Sequence, residues 1–332
     1  MSRNQILIIA LTGIVFLAAI LCFYLFRPLS HAPSPATFSC AELNEGRFQA
    51  FKPNPNYIYG IALAYSQHIE ETASGFDPDE PPPIFEKNSR ALTRNTEIIA
   101  MPKRQDLIQA MEDFEPGLGK TVDQDFEDLP VLLDYEVELA FVLLEDFSAS
   151  DLQSDDFSPA LGFFLANDVS ARTIAVMGEG QKNRYEYWGL SKSFPGFLPV
   201  SDKLWIPDNP GPTTLPCITI ETYVNEELRQ STSTEDMIYT PAELIRQIQK
   251  NYPDRKLSKG DLVLMGTPGG VAFQTPRWLA RLGTLVGMDR FAKLKAVLRR
   301  DRSRFLEVGD TMRIQAREFA TVSNEIAAPN GD

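Results

Sequence analysis

From Ile6 to Phe26 the chain runs through 21 residues without a charge, ILIIALTGIVFLAAILCFYLF. A helix of that length rises about 30 Å, the thickness of a bilayer's hydrocarbon core. The run exceeds a signal-peptide core of about 7–15 residues, so the pattern predicts an uncleaved transmembrane helix over 6–26. Arg3 and Arg27 flank it. Their slight asymmetry predicts a single-pass membrane protein with its bulk on the extracytoplasmic side. The segment PLSHAPSPATFS that follows reads as an extended, proline-stiffened tether.

Beyond residue 50 the pattern changes to short apolar or alternating runs: 57–65, 131–144, 160–168, 217–225, 261–266 and 311–316. Turn-rich stretches separate them, and two turns look alike, Lys259-Gly260-Asp261 and Val308-Gly309-Asp310. Helical spacing occurs around 67–73, 105–111, 241–250 and 277–300. The expected class is a β-rich α+β fold with short peripheral helices. The expected organisation is a tail over 1–5, the transmembrane helix, a tether over 27–50 and one domain over 51–328. A basic helical insert occupies 275–305. From Arg277 to Arg304 that insert holds nine Lys or Arg residues against Asp289 and Asp301, with apolar residues near helical spacing. It predicts either a basic amphipathic helix lying on anionic lipid or a helix packed on the domain.

Composition narrows the function. A net charge of −13 argues against a nucleic-acid partner, since phosphate contacts need clustered cations. Cys22, Cys40 and Cys217 lack zinc-site spacing, and a Cys40–Cys217 disulfide is left open. His31 and His68 are the two histidines. PGLGKT (116–121) ends like a phosphate-binding loop, but Phe114 stands where the first glycine belongs, so it reads as a turn.

The chemistry concentrates in DYEVELAFVL (134–143). Strand alternation puts Glu136 and Glu138 on one face, and apolar flanks make the strand central. Two buried acids repel unless a cation lies between them. Asp168 ends the apolar run ALGFFLAND. His68 and Glu71, three apart, meet on one helical turn, where a carboxylate orients an imidazole as a general base.

Eight stretches together resemble the fumarylacetoacetate hydrolase family. They are YGIALAYSQHIEE, PPIFEKNSRAL, DYEVELAFVL, GFFLANDVSAR, WGLSKSFPGFLPVSD, VNEELRQSTSTEDMI, LSKGDLVLMGTPGGV and LEVGD…SNEI, collinear over about 57–326. The resemblance implies that family's mixed β-sandwich roll and a homodimer. It implies a divalent metal held by Glu136, Glu138 and Asp168, with Mg2+ in first place and Mn2+ or Ca2+ as alternatives. It implies a water-activating pair, His68 and Glu71, an active-site lysine, Lys192, and substrate contacts from Thr267 and Gly266. The implied activity is hydrolysis, or decarboxylation or isomerisation, of a small 2-oxo acid or 1,3-dicarbonyl such as an acylpyruvate. Thr173 and Ala175 stand where the family has an acid and a glutamine, and Met265 replaces the first threonine of TGTP. These departures leave a second reading, a membrane-tethered binding module without turnover.

Overall fold

The central strand, Val137–Leu143, is buried along its whole length, and its two faces explain the architecture. Val137, Leu139, Phe141 and Leu143 face a core shared with Ile220, Ile314 and Val322 of a second sheet and with Leu244, Ile245 and Ile248 of a helix. Ala140 and Val142 face the opposite core, lined by Leu107, Met111, Val122, Ile174 and Met177 from helices. An apolar residue on both faces is what a sheet covered on both sides requires. The structure, a computed structural model, describes residues 3–26, 33–72, 81–95, 97–154 and 157–329.

The main sheet orders Gly46–Ala50, Lys203–Pro207, Leu161–Asn167, Val137–Leu143, Leu262–Leu264, Ile58–Ile61 and Ile84–Lys87. The second orders Glu227–Ser233, Thr219–Val224, Thr311–Ala316, Ala320–Ala327 and Ile99–Ala100. The mixed α+β class, with several sheets and short helices, is therefore as the patterning predicts. Helices fall at Ser66–Thr72, Arg104–Phe114 and Pro241–Asn251, close to the predicted positions. Ala73 of the first predicted stretch lies outside the described residues. Thr240 caps the last of these in a capping box with Glu243, ahead of Pro241. PGLGKT is more than a turn: Gly117, at φ 90°, opens a helix over Leu118–Asp125.

The transmembrane reading is corrected. Among the described residues no helix is long and apolar enough to cross a membrane, which overturns the single-pass localisation. A helix runs from Arg3 to Phe26. Its end is held by protein: Phe26 stacks on Trp278, and the Arg281 guanidinium donates to the Tyr24 and Leu25 carbonyls at 3.1 Å. Those carbonyls would otherwise be orphaned at a helix C-terminus. Residues 27–32 of the tether lie outside the described residues.

The insert is two helices, Arg277–Leu285 and Arg290–Leu298, divided at Gly287 (φ 66°). Leu294 is buried in the helical core. Protein groups take several of the insert's cations. Arg290 pairs with Glu115 at 2.6 Å, Lys293 donates to the Glu179 carbonyl at 3.4 Å, and Lys295 lies over Phe126. The Arg290 guanidinium holds the Glu115 carboxyl down at about 2. A depressed carboxylate contributes stability above its unfolded pKa, and that contribution is lost as pH falls through the folded value. Glu115→Gln therefore lowers the melting temperature at pH 7. Its difference from wild type shrinks from about pH 4.5 and is gone near pH 2, as thermal scans across pH would show.

Cys40 and Cys217 form a disulfide, closing a loop of sequence separation 177. It fastens Ser39–Ala41, which pairs in parallel with Thr214–Pro216. Restricting the unfolded chain over so long a loop contributes about 2–5 kcal/mol. Cys217→Ser is expected to lower the melting temperature by several degrees, and dithiothreitol to do the same to wild type but nothing further to the variant.

Candidate metal centre

Antiparallel pairing of Val137–Leu143 with Leu161–Asn167 sets Glu138 opposite Ala166 and Val137 opposite Asn167. Just past the ladder, the Asp168 N–H donates to the Glu136 carbonyl at 2.9 Å, and the Glu136 N–H donates to Asn167 Oδ1 at 2.9 Å. This register brings Glu136, Glu138 and Asp168 together. One oxygen from each lies within 4.8 Å of the others, and all three residues are buried.

Cations surround two of the three. Lys192 Nζ donates to Glu136 Oε2 at 2.6 Å and to Asp168 Oδ2 at 2.7 Å. Lys87 Nζ pairs with Asp168 Oδ1 and donates to the Phe197 carbonyl at 2.7 Å. Arg172 pairs with Glu136 Oε1 and, through Nε, with Asp134 Oδ2 at 2.7 Å. Burial works against ionisation of Glu136, yet Arg172 and Lys192 outweigh it and hold its carboxyl at about 2. Burial likewise opposes the Lys192 charge, and Asp168 and Glu136 more than restore it, raising its pKa. For Lys87, burial wins and pulls the ammonium down to about 8.

Glu138 is different. Its Oε2 accepts the Gly266 N–H at 2.7 Å, and no cation pairs with it among the described residues. Burial, then Asp168 and Glu136, push its carboxyl well above the usual range. Fully ionised, Asp134, Glu136, Glu138 and Asp168 meet Arg172, Lys87 and Lys192, so one negative charge remains in excess. The donor set fits a hard divalent cation: three convergent carboxylates, oxygen ligands throughout, and a charge deficit at Glu138. Carboxylate oxygens that already accept one hydrogen bond keep lone pairs for a ligand bond.

The other predicted site residues gather nearby. His68, on the helix Ser66–Thr72, is buried and lies within electrostatic reach of Glu136, Arg172 and Lys192. Burial first, then the two cations, hold its imidazole at about 4, so it is a neutral base at pH 7. Glu71 Oε2 accepts the Gly270 N–H at 2.7 Å, which ties this helix to the GTPGGV loop. Gly266 has φ +95°, and a Cβ there would come 2.6 Å from the Ala64 Cβ. Its backbone N–H is the donor to Glu138. Thr267 Oγ1 accepts from Gln230 Nε2 at 2.9 Å.

Sequence reasoning passed over Lys87, Asp134, Arg172 and Gln230. All four lay in quoted motifs, FEKNSR, DYEVEL, NDVSAR and ELRQST, and a lysine or arginine inside such apolar surroundings is itself a signal of a buried anion. Asp134 accepts the Ala272 and Phe273 N–H groups at 2.8 and 3.0 Å, anchoring the loop beyond GTPGGV. The departures from the family pattern fall in packing. The Thr173 hydroxyl donates to the Pro130 carbonyl at 2.5 Å, Ala175 is buried, and Met265 is buried in an apolar core.

Comparison with known proteins bears on the family and the fold. Oxaloacetate tautomerase YisK of Bacillus subtilis is 29% identical over 232 residues, covering 69% of this chain. The match spans 64% of that relative's length, less than two-thirds. Among solved structures, a putative HpcE protein from Mycobacterium smegmatis superposes with a TM-score of 0.55 at 21% identity, covering 84% of this chain and 76% of that one. Fumarylpyruvate hydrolase from Pseudomonas aeruginosa, crystallised with Mn2+ and pyruvate, gives 0.52 at 18% identity, covering 91% and 98%. At these identities the two structures speak to the fold. The model of the fumarylacetoacetate hydrolase C-terminal region matches residues 57–327, and the chain belongs to that family.

Proposed function

We propose that this protein is a divalent-metal-dependent enzyme acting on a small 2-oxo acid or 1,3-dicarbonyl compound, with Glu136, Glu138 and Asp168 as metal ligands. The observation that carries the reading is the buried three-carboxylate cluster, in which Glu138 has no paired cation among the described residues. A bound ion would supply fixed positive charge to the two oxygens that such a substrate presents. His68, neutral at pH 7, accepts a proton either from the carbon beside the carbonyl or from an attacking water. Glu71 holds the helix carrying His68 against the GTPGGV loop through Gly270. Lys192, kept charged by Asp168 and Glu136, offers its ammonium to negative charge developing on the substrate.

Proton abstraction leads to keto–enol tautomerisation, and water attack leads to C–C hydrolysis. The relative named oxaloacetate tautomerase favours the first, and the fold shared with a fumarylpyruvate hydrolase favours the second. The test is loss of enol absorbance with oxaloacetate and with acylpyruvates, followed by product analysis, using the full chain and Mn2+. Pyruvate released from an acylpyruvate marks the hydrolase, and accelerated enol-to-keto conversion of oxaloacetate without cleavage marks the tautomerase. If neither substrate is turned over, the reading fails and a binding module without turnover takes its place.

A further inference from the structure

Gln230 comes from the second sheet, on the strand Glu227–Ser233, yet its amide ends beside the carboxylate cluster. It is 2% exposed and uses every hydrogen-bonding position it has. Oε1 accepts the Val137 N–H at 3.1 Å and the Thr222 hydroxyl at 2.8 Å. Nε2 donates to Thr267 Oγ1 at 2.9 Å and to the Pro268 carbonyl at 3.1 Å. The amide has a single possible orientation. A backbone N–H can only donate and a backbone carbonyl can only accept, so Val137 and Pro268 decide which end is oxygen and which is nitrogen.

Two consequences follow. Val137 stands between Glu136 and Glu138, and Thr267 follows the glycine whose N–H holds Glu138. One side chain thus sets the spacing between the carboxylate strand and the GTPGGV loop. Further, the amide N–H occupies one lone pair of the Thr267 hydroxyl, which directs that hydroxyl's own proton away from Gln230. The bond from Gln230 is the one this hydroxyl makes among the described residues. That proton is free to be donated to an acceptor atom of a ligand.

We propose that Gln230 is a positioning residue that makes Thr267 a hydrogen-bond donor to a carboxylate oxygen of the bound ligand. The inference rests on the proposed metal-dependent reading of the site. The buried amide is tolerated between the sheets because all its partners are in place.

The test is calorimetric titration of oxalate, a dicarboxylate probe, into the Mn2+-loaded full chain, with Mn2+ titrated separately. Gln230→Met and Thr267→Val are each expected to weaken oxalate binding about tenfold, the size of one hydrogen bond to a charged group. The double variant is expected to be no weaker than either single one, because Gln230 acts through Thr267. Thr267→Ser keeps the hydroxyl and holds affinity within about threefold of wild type. Losses that multiply to about a hundredfold in the double variant would mean two independent structural roles and overturn the proposal. So would equal oxalate binding by Thr267→Val and Thr267→Ser, a comparison that stands even if Gln230→Met does not fold. Wild type that takes up neither Mn2+ nor oxalate overturns the proposed function and this inference with it. Wild type that binds both, with Gln230→Met unchanged, overturns the inference alone.

Discussion

Glu138→Gln is expected to melt at a higher temperature than wild type when both are metal-free, and to gain nothing from added Mn2+. The carboxylate is 1% exposed, its one close partner is the Gly266 N–H, and its neighbours Glu136 and Asp168 share its sign. A glutamine oxygen can accept that same N–H, so the substitution keeps the hydrogen bond and removes a carboxyl whose ionisation burial, Asp168 and Glu136 all oppose. Its removal is worth about 1–3 kcal/mol. Wild type at Mn2+ one hundredfold above its dissociation constant gains about 2.7 kcal/mol by mass action, and the variant loses that gain with its ligand. Thermal scans with EDTA and with Mn2+ check both halves. A variant that is less stable without metal, or that still responds to Mn2+ as wild type does, would show that Glu138 is not the cation-seeking member of the cluster.

Lys87→Ala is expected to be among the most damaging single changes in the chain. Lys87 and Asp168 are both wholly buried and paired, and the ammonium also satisfies the Phe197 carbonyl. Without Lys87, Asp168 keeps only Lys192, which it shares with Glu136, so the buried cluster gains a further uncompensated negative charge, at about 3–5 kcal/mol. Urea unfolding would show the loss. Asp168→Ala combined with Lys87→Ala should cost clearly less than the two separate losses added together, since the second change removes the charge that the first strands. A loss under about 1 kcal/mol for Lys87→Ala would mean that water reaches Asp168 in its place.

Much of this centre could be read from residues in order, because its geometry is local. Period-two alternation put Glu136 and Glu138 on one face, and the apolar flanks marked the strand as central, as it is. Asp168 was readable as the end of the neighbouring strand, though only pairing register sets it beside Glu136. Lys87, Arg172 and Gln230 were harder, since their partners lie 81, 38 or 36, and 93 positions away. Spacing along a chain carries no information about contacts made between sheets.

The readings that failed did so for one physical reason. Apolarity says that a segment avoids water, not what covers it. The end of the run 6–26 lies against Trp278 and Arg281, and the described residues hold no membrane-crossing helix. The insert's spacing looked continuous from 277 to 300, but Gly287 and the Asp289 cap, which accepts the Ala292 N–H at 2.7 Å, divide it. Both residues are punctuation that a closer reading would have used.

The most direct test of the account is the rate of oxaloacetate or acylpyruvate enol loss, followed as Mn2+ is added back to the full chain after exhaustive chelation. The account predicts negligible turnover without metal and a saturable rise that reaches its plateau near one equivalent per chain. It also predicts no rise at all for Glu138→Gln. Full turnover by the chelated protein, or the same metal response from the Glu138→Gln variant, would contradict it.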